Sequence, residues 1–279
     1  MIKDVIFPVT NTAGDANAME SAIALAISAH AHLDVLEFVN LPLPPDRPWG
    51  NRDLSLGDLY EKHRLKAELD AAAWRQRLAK EPIKSEVRVV ESTFTESPDL
   101  AAEHARCSDL AVMTMATDVV GEDAIVHNFF GSLLLATGRP LLLIPQGFKW
   151  RPIKHAVVAW RPSREAARTL HDALPLLNVA DSVDLLELDS DQSRQRENPP
   201  PGGDASVHLY RHGIKAVFVA QSAGGASVAS VLIKHVRDSG ADLLIAGGYG
   251  HSRFREWALG GTTRELLSGA CPVPILFSN

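Results

Sequence analysis

The sequence predicts an α/β protein made of two doubly wound, Rossmann-like three-layer sandwiches. Three observations predict it: apolar strand patterns alternate with helical ones, the alternation runs through twice in the same order, and an irregular segment separates the two passes. Strands that alternate with helical crossovers pair in parallel, and right-handed crossovers place helices on both faces of the sheet. Each pass opens on a strand, Lys3 to Val9 and Lys154 to Trp160, followed by a helix, Ala16 to Ala31 and Arg164 to Leu177. Ser163 reads as the N-cap of the latter, because a serine hydroxyl can accept from an otherwise unpaired helix N–H. Second strands follow at Asp34 to Val39 and Ser182 to Leu188, and third strands at Glu86 to Glu91 and Ile214 to Ala220. Fourth strands are Asp109 to Met115 and Asp242 to Ala246; fifth strands are Pro140 to Ile144 and Pro272 to Phe277. The stretch from Gln146 to Pro152 reads as a linker, which gives domains over residues 1–146 and 153–279.

Two irregular segments interrupt the pattern. Leu41 to Asp58 carries Pro42, Pro44, Pro45 and Pro48 ahead of a long helix from about Leu59 to Leu78. Asp189 to Asp204 carries Pro199-Pro200-Pro201-Gly202-Gly203. Both read as exposed connections, with a role as lids over a ligand site as the alternative. Pro272 and Pro274 lie two apart, so their missing N–H groups face one side of the strand, which predicts a sheet edge in need of cover.

A chain of 279 residues with 46% hydrophobic content and a mean hydropathy of −0.03 has enough apolar material for two cores. No apolar run approaches the roughly 20 residues that span a bilayer, and Met1 to Val9 enters a strand without a leader's cleavage signal. A cytoplasmic protein that does not bind membranes is expected. The formal net charge of −6 argues against nucleic acid as a partner. Charge is unevenly placed: residues 1–150 hold 14 Lys and Arg against 21 Asp and Glu, residues 151–279 hold 14 against 13. Cys107 and Cys271 are too few for a disulfide framework and read as core thiols.

The chemistry-bearing segment is Gly247-Gly248-Tyr249-Gly250, followed by Gly260-Gly261-Thr262-Thr263. It lies between a buried strand, Asp242 to Ala246, and a helix opening at Arg264-Glu265-Leu266-Leu267. Glycines there let backbone N–H groups approach an oxyanion, and the helix start adds unpaired donors. Thr262 and Glu265 have the spacing of a capping box. The alternative is a glycine-rich connection with no ligand.

The pattern G-x2-G-x9-G over Gly247, Gly250 and Gly260 resembles the nucleotide loop of the universal stress protein family. One position departs: Gly261 stands where the family has Ser or Thr, leaving Thr262 and Thr263 as the nearby hydroxyls. The resemblance implies a strand order of 3-2-1-4-5 in each sheet, ATP or another adenine nucleotide as the ligand, with Mg²⁺ as a possible companion, and pairing of fifth strands between domains. In a tandem chain that pairing can be internal, and a further homodimer is left open. Ligands of open α/β sheets bind where the order reverses, here between strands 1 and 4. Ala159, Trp160 and Arg161 should therefore face the glycine loop, with Leu188 lining the base pocket through its backbone, a role that comes from the resemblance alone. Arg161 replaces the family's aspartate after strand 1; it suits a phosphate, and Trp160 suits either stacking on a base or rim packing. His251 and Arg253, with Arg255, favour an anion or point to solvent.

In the first pass the loop is eroded. Gly121, Gly131 and Ser132 survive, but Asp118 replaces the first glycine, and Glu122 and Asp123 stand where the second pass has His251 and Ser252. Carboxylates repel phosphate, so one nucleotide site is expected, in the second pass. Other chemistries are disfavoured: there is no GxxxxGK[ST] loop, no GxGxxG after strand 1, no HExxH beside His208 and His212, and no GxSxG. With no general base identifiable, the expectation is a nucleotide-binding protein of stress response, not a catalyst. The alternatives are an interaction protein whose sites have both lapsed and a slow Mg-dependent ATP hydrolase.

Overall fold

The computed structural model describes residues 1–39, 56–91, 95–116, 119–189, 202–248 and 261–279. The first pass comprises β1 (Asp4–Pro8), α1 (Asp15–Ala29), β2 (His32–Phe38), α2 (Leu56–Leu78), β3 (Ser85–Val90), α3 (Ser97–Ala105), β4 (Leu110–Thr114), α4 (Glu122–Ala136) and β5 (Leu141–Ile144). The second comprises β6 (His155–Trp160), α5 (Arg164–Leu177), β7 (Ser182–Asp189), α6 (Gly202–Arg211), β8 (Ala216–Ser222), α7 (Val228–Ser239), β9 (Leu243–Gly247), α8 (Gly261–Glu265) and β10 (Ile275–Ser278). α8 runs directly into a π-helical turn, Leu266–Ala270.

All ten strands form one sheet in the order β3-β2-β1-β4-β5-β10-β9-β6-β7-β8. Each pass is a parallel five-stranded sheet of order 3-2-1-4-5, and the two meet where β5 and β10 pair antiparallel, with Leu142 opposite Leu276. Apolar residues on alternate sides of every central strand bury both faces. Val5, Phe7, Val158 and Ile245 face one layer built from α1, α2, α5 and α6; Ile6, Met113, Val157 and Leu244 face the other, built from α3, α4, α7 and α8. Leu142 and Leu276 belong to the first layer, Leu143 and Ile275 to the second, so each core is continuous across the seam.

Equivalent helices share a face while the passes run antiparallel, so the halves are related by a pseudo-two-fold axis normal to the sheet at the β5–β10 seam. The strand starts repeat this symmetry in detail. Asp109 accepts hydrogen bonds from the backbone N–H groups of Lys3 (2.7 Å) and Asp4 (3.1 Å); Asp242 accepts from those of Lys154 (2.9 Å) and His155 (3.1 Å).

Two sequence expectations are corrected. Pro272 and Pro274 do not lie within the fifth strand: β10 begins at Ile275, after both, and the edge it presents is covered by β5, as the edge argument required. Pro274 contributes only its carbonyl, which accepts from Leu244 N–H, as Pro140 accepts from Ala111. Cys107 is exposed, because it falls in the turn after α3 and not on β4; Cys271 is buried, and burial raises its thiol to about 11. The connections at 40–55 and 190–201 lie outside the described residues.

Because both cores cross the seam, heat or denaturant should unfold the two halves in one transition. Leu142→Ala, a truncation at a fully buried position, should cost about 2–5 kcal/mol and accelerate amide exchange in β2 and β7 alike. Two separated transitions, or exchange confined to the first pass, would contradict a continuous core.

Candidate functional site

The order of each sheet reverses beside β1 and β4 in the first pass and beside β6 and β9 in the second, which opens a crevice beyond those strand ends. Antiparallel joining puts the two crevices at opposite ends of the ten-stranded sheet.

In the second crevice, β6 pairs with β9 through Ala159 opposite Ala246, and the next residues, Trp160 and Gly247, form the rim. Trp160 lies over the α5–α6 layer, half-buried, with its indole Nε1 buried and without a hydrogen-bond partner. Glu187 is its register neighbour on β7. Ala159 and Leu188 turn to the opposite layer, so Trp160 and Leu188 do not form one side-chain pocket. Arg161 is exposed, at the turn where Ser163 N–H donates to its carbonyl (2.7 Å). Ser163 caps α5 as expected, accepting from Ala166 N–H at 3.2 Å.

Gly247 has a packing reason as well as any ligand reason. A Cβ there would lie 3.1 Å from the backbone N of Ala166 and 3.1 Å from the backbone C of Glu165, so α5 crosses too closely for a side chain. At Gly248 an added Cβ would meet only the tip of Leu134, a flexible neighbour. Gly261 opens α8 with no atom of the described residues within 4 Å of where a Cβ would stand, Thr262 is half-buried beside it, and Thr263 is buried. Gly250, His251, Arg253 and Gly260 lie outside the described residues. The capping box is not formed. α8 begins at Gly261, which puts Thr262 inside the first turn, and the Glu265 carboxylate accepts instead from Ser227 Oγ (2.7 Å), the N-cap of α7.

The first crevice is filled from within. Both carboxylate oxygens of Glu122, in the first turn of α4, lie 3.1 Å from Ala13 N and accept its hydrogen bond ahead of α1. Asp15, buried at the start of α1, accepts from Thr10 Oγ1 (2.8 Å), and Thr10 and Thr12 share a further bond of 2.8 Å. Glu37, 1% exposed at the end of β2, accepts from Asn11 Nδ2 (3.2 Å) through Oε1, while Oε2 has no hydrogen-bond partner. Burial raises both acids, Asp15 to about 6 against the hydrogen bond from Thr10, and Glu37 to about 7 against that from Asn11. Sequence reading missed both; the signal was a glutamate inside the apolar run of each second strand, Glu37 and Glu187, at the same place in the repeat. His208 and His212 stack edge to face, 4.7 Å between ring centres, and no metal-binding cluster occurs among the described residues.

No protein-family model and no curated protein sequence matches the chain. Solved structures do. A universal stress protein from Archaeoglobus fulgidus DSM 4304 superimposes with a TM-score of 0.72 at 14% identity, over 99% of this chain and 96% of its own. A functionally unknown protein from Pseudomonas aeruginosa PAO1 matches with a TM-score of 0.61 at 13% identity, over 99% and 92%. A protein from Pseudomonas aeruginosa UCBPP-PA14, provisionally named a universal stress protein, gives 0.60 at 13%, over 99% and 93%. The chain thus has the fold of universal stress proteins along its whole length. No helix among the described residues is long and apolar enough to cross a membrane.

The raised acids make a signed prediction. A carboxyl whose folded pKa lies above its unfolded value binds its proton more tightly when folded, so its penalty is absent below about pH 4 and grows as pH rises through 6 and 7. Stability should fall across that window, Glu37 alone accounting for on the order of 3 kcal/mol. Glu37→Gln should be stabilising at pH 8 and nearly neutral at pH 4.5 in urea titrations; an effect independent of pH would refute the assignment.

Proposed function

We propose that this chain is a tandem universal stress protein that binds one ATP, or a related adenine nucleotide, in the crevice of its second half and acts in stress response as a binding or signalling protein. The observation that carries the reading is the contrast between two crevices of the same geometry. The first is occupied by its own carboxylates, Glu122 on the Ala13 N–H with Asp15 and Glu37 buried behind it. The second has Arg161 after β6 and, in sequence, His251 and Arg253 in the glycine loop. An anion is repelled by one and attracted by the other. In this reading, residues 1–146 serve as an internal dimerisation domain for residues 153–279, and the protein works in the cytoplasm. The Trp160 indole and the Glu187–Leu188 strand end take the base side, and Gly247, Gly250, Gly260, Gly261, Thr262 and Thr263 take the phosphates, with Mg²⁺ where the nucleotide brings it.

One observation favours a second reading, an interaction protein whose nucleotide sites have both lapsed: the close crossing of α5 over Gly247 explains that glycine without a ligand.

Titration with a non-hydrolysable ATP analogue should saturate near one site per chain. Gly250→Asp, which adds bulk and negative charge, should abolish binding. Gly121→Asp should leave affinity unchanged, although it costs stability because Gly121 caps α4 at φ 93°. Two equal sites, or none, would overturn the proposal.

Turnover under saturating Mg-ATP should be very slow, since the sequence identifies no general base to orient and deprotonate water. His251→Ala should weaken nucleotide affinity by about 1 kcal/mol and leave residual hydrolysis per bound nucleotide unaltered. Several turnovers per second, lost in this variant, would assign the site to a hydrolase.

A further inference from the structure

A groove with a volume of about 340 Å³ lies where the two halves meet, between the start of the first pass and α5. Ile2, Leu110, Leu174, Leu176 and Leu276 line it, and Asp109, Arg168 and His171 supply polar groups. No described segment runs over it.

The pseudo-two-fold identifies what such a groove holds. Strand register makes the starts of β4 and β9 equivalent, since Ile6 pairs with Ala111 and Val157 with Leu244; Asp109 and Asp242 therefore correspond. α5 corresponds to α1 and Ile2 to Ile153. At the symmetry-related groove, beside α1 and Asp242, the position is taken by the chain's own linker. Asn17 of α1 donates to the carbonyl of Pro145 (3.1 Å), and Phe148 and Trp150 pack half-buried on the α1-side core. Lys149 between them is exposed, so the segment is read in alternation. Arg151 closes the contact on Asp242 with Nε 2.6 Å from the carboxylate. Burial would raise the Asp242 carboxyl, but the backbone donors of Lys154 and His155 and the Arg151 guanidinium outweigh it and hold it below the ordinary range.

Around the groove beside α5 the same receiving elements are present without the segment. Asp109 is held by the N–H groups of Lys3 and Asp4 as Asp242 is by its own pair, and no described cation forms an ion pair with it. Arg168 supplies a side-chain donor from the helix equivalent to that of Asn17, now spent on the Gly138 carbonyl at 2.7 Å. Pro175 lies inside α5, on the groove wall, and cannot donate to the carbonyl of His171.

We propose that this groove is a docking site for an extended peptide of a partner protein carrying aromatic-x-aromatic-basic spacing, the pattern by which Phe148, Trp150 and Arg151 fill the equivalent groove. The two aromatic side chains cover the leucine floor, and the basic residue pairs with Asp109. This inference is independent of nucleotide binding, because the groove shares no residue with the crevice.

The probe is a fluorescently labelled synthetic peptide of residues 145–152, Pro-Gln-Gly-Phe-Lys-Trp-Arg-Pro, titrated by anisotropy into the full chain. One saturable site is expected, with amide shift changes at Ile2, His171 and Leu176. Replacing the peptide's arginine by glutamate, or Asp109→Asn in the protein, should each weaken binding about fivefold or more. Asparagine keeps an acceptor for Lys3 and Asp4, so the fold is retained. Absence of saturation below about 1 mM would overturn the proposal. So would shift changes confined to Asn17 and Asp242, which mean displacement of the native linker, or affinity unchanged by Asp109→Asn together with the charge-reversed peptide.

Discussion

The antiparallel pairing of β5 with β10 is the constraint from which the rest of the architecture follows. Taken alone, either five-stranded sheet would end on an edge of three apolar residues, Leu141-Leu142-Leu143 or Ile275-Leu276-Phe277, exposing both side chains and backbone donors. Joining them removes both edges at once and leaves β3 and β8 outermost. Of these, β3 is backed by the long α2, whose Arg75 donates to the Val87 carbonyl at 3.0 Å, while β8 keeps Val217 and Phe218 exposed. Since the join reverses strand direction but keeps equivalent helices on one face, it also fixes the crevices at opposite ends of the sheet.

The divergence took the form of internal substitution more than simple decay. In the first crevice the Glu122 carboxylate accepts from the Ala13 N–H ahead of α1, so that donor is satisfied without a ligand. Asp15 is anchored by Thr10, yet Glu37 is buried with one carboxylate oxygen that has no partner among the described residues, which is destabilising when ionised. Retaining such a group keeps polarity there at a cost to stability; the hydrogen bond from Asn11 and the charge of Lys66 lower that cost, while Asp70 and Asp15 add to it.

The repeat and the Ser163 cap were legible in the sequence because they rest on periodicity and on one short-range hydrogen bond, whereas the strand order within each half came from the resemblance of the glycine loop. What was not legible depends on tertiary placement. Thr262 and Glu265 have capping-box spacing, but Ser227, the N-cap of α7, offers Glu265 a better partner, and the helix starts two residues earlier than that box requires. Pro272 and Pro274 suggest an edge only if they lie within the strand; they precede it, where a missing N–H is harmless. Cys107 borders an apolar strand in sequence yet sits in the turn before it, an error of boundary and not of chemistry.

Glycine illustrates why a motif underdetermines a site. The same residue type is required by a phosphate approaching the backbone and by a helix packing against a strand, and at Gly247 the second requirement is already met by α5. Gly261 differs, because among the described residues no atom lies within 4 Å of the position of its missing Cβ. Steric necessity therefore accounts for the glycine that begins the pattern and not for the one that follows its last member.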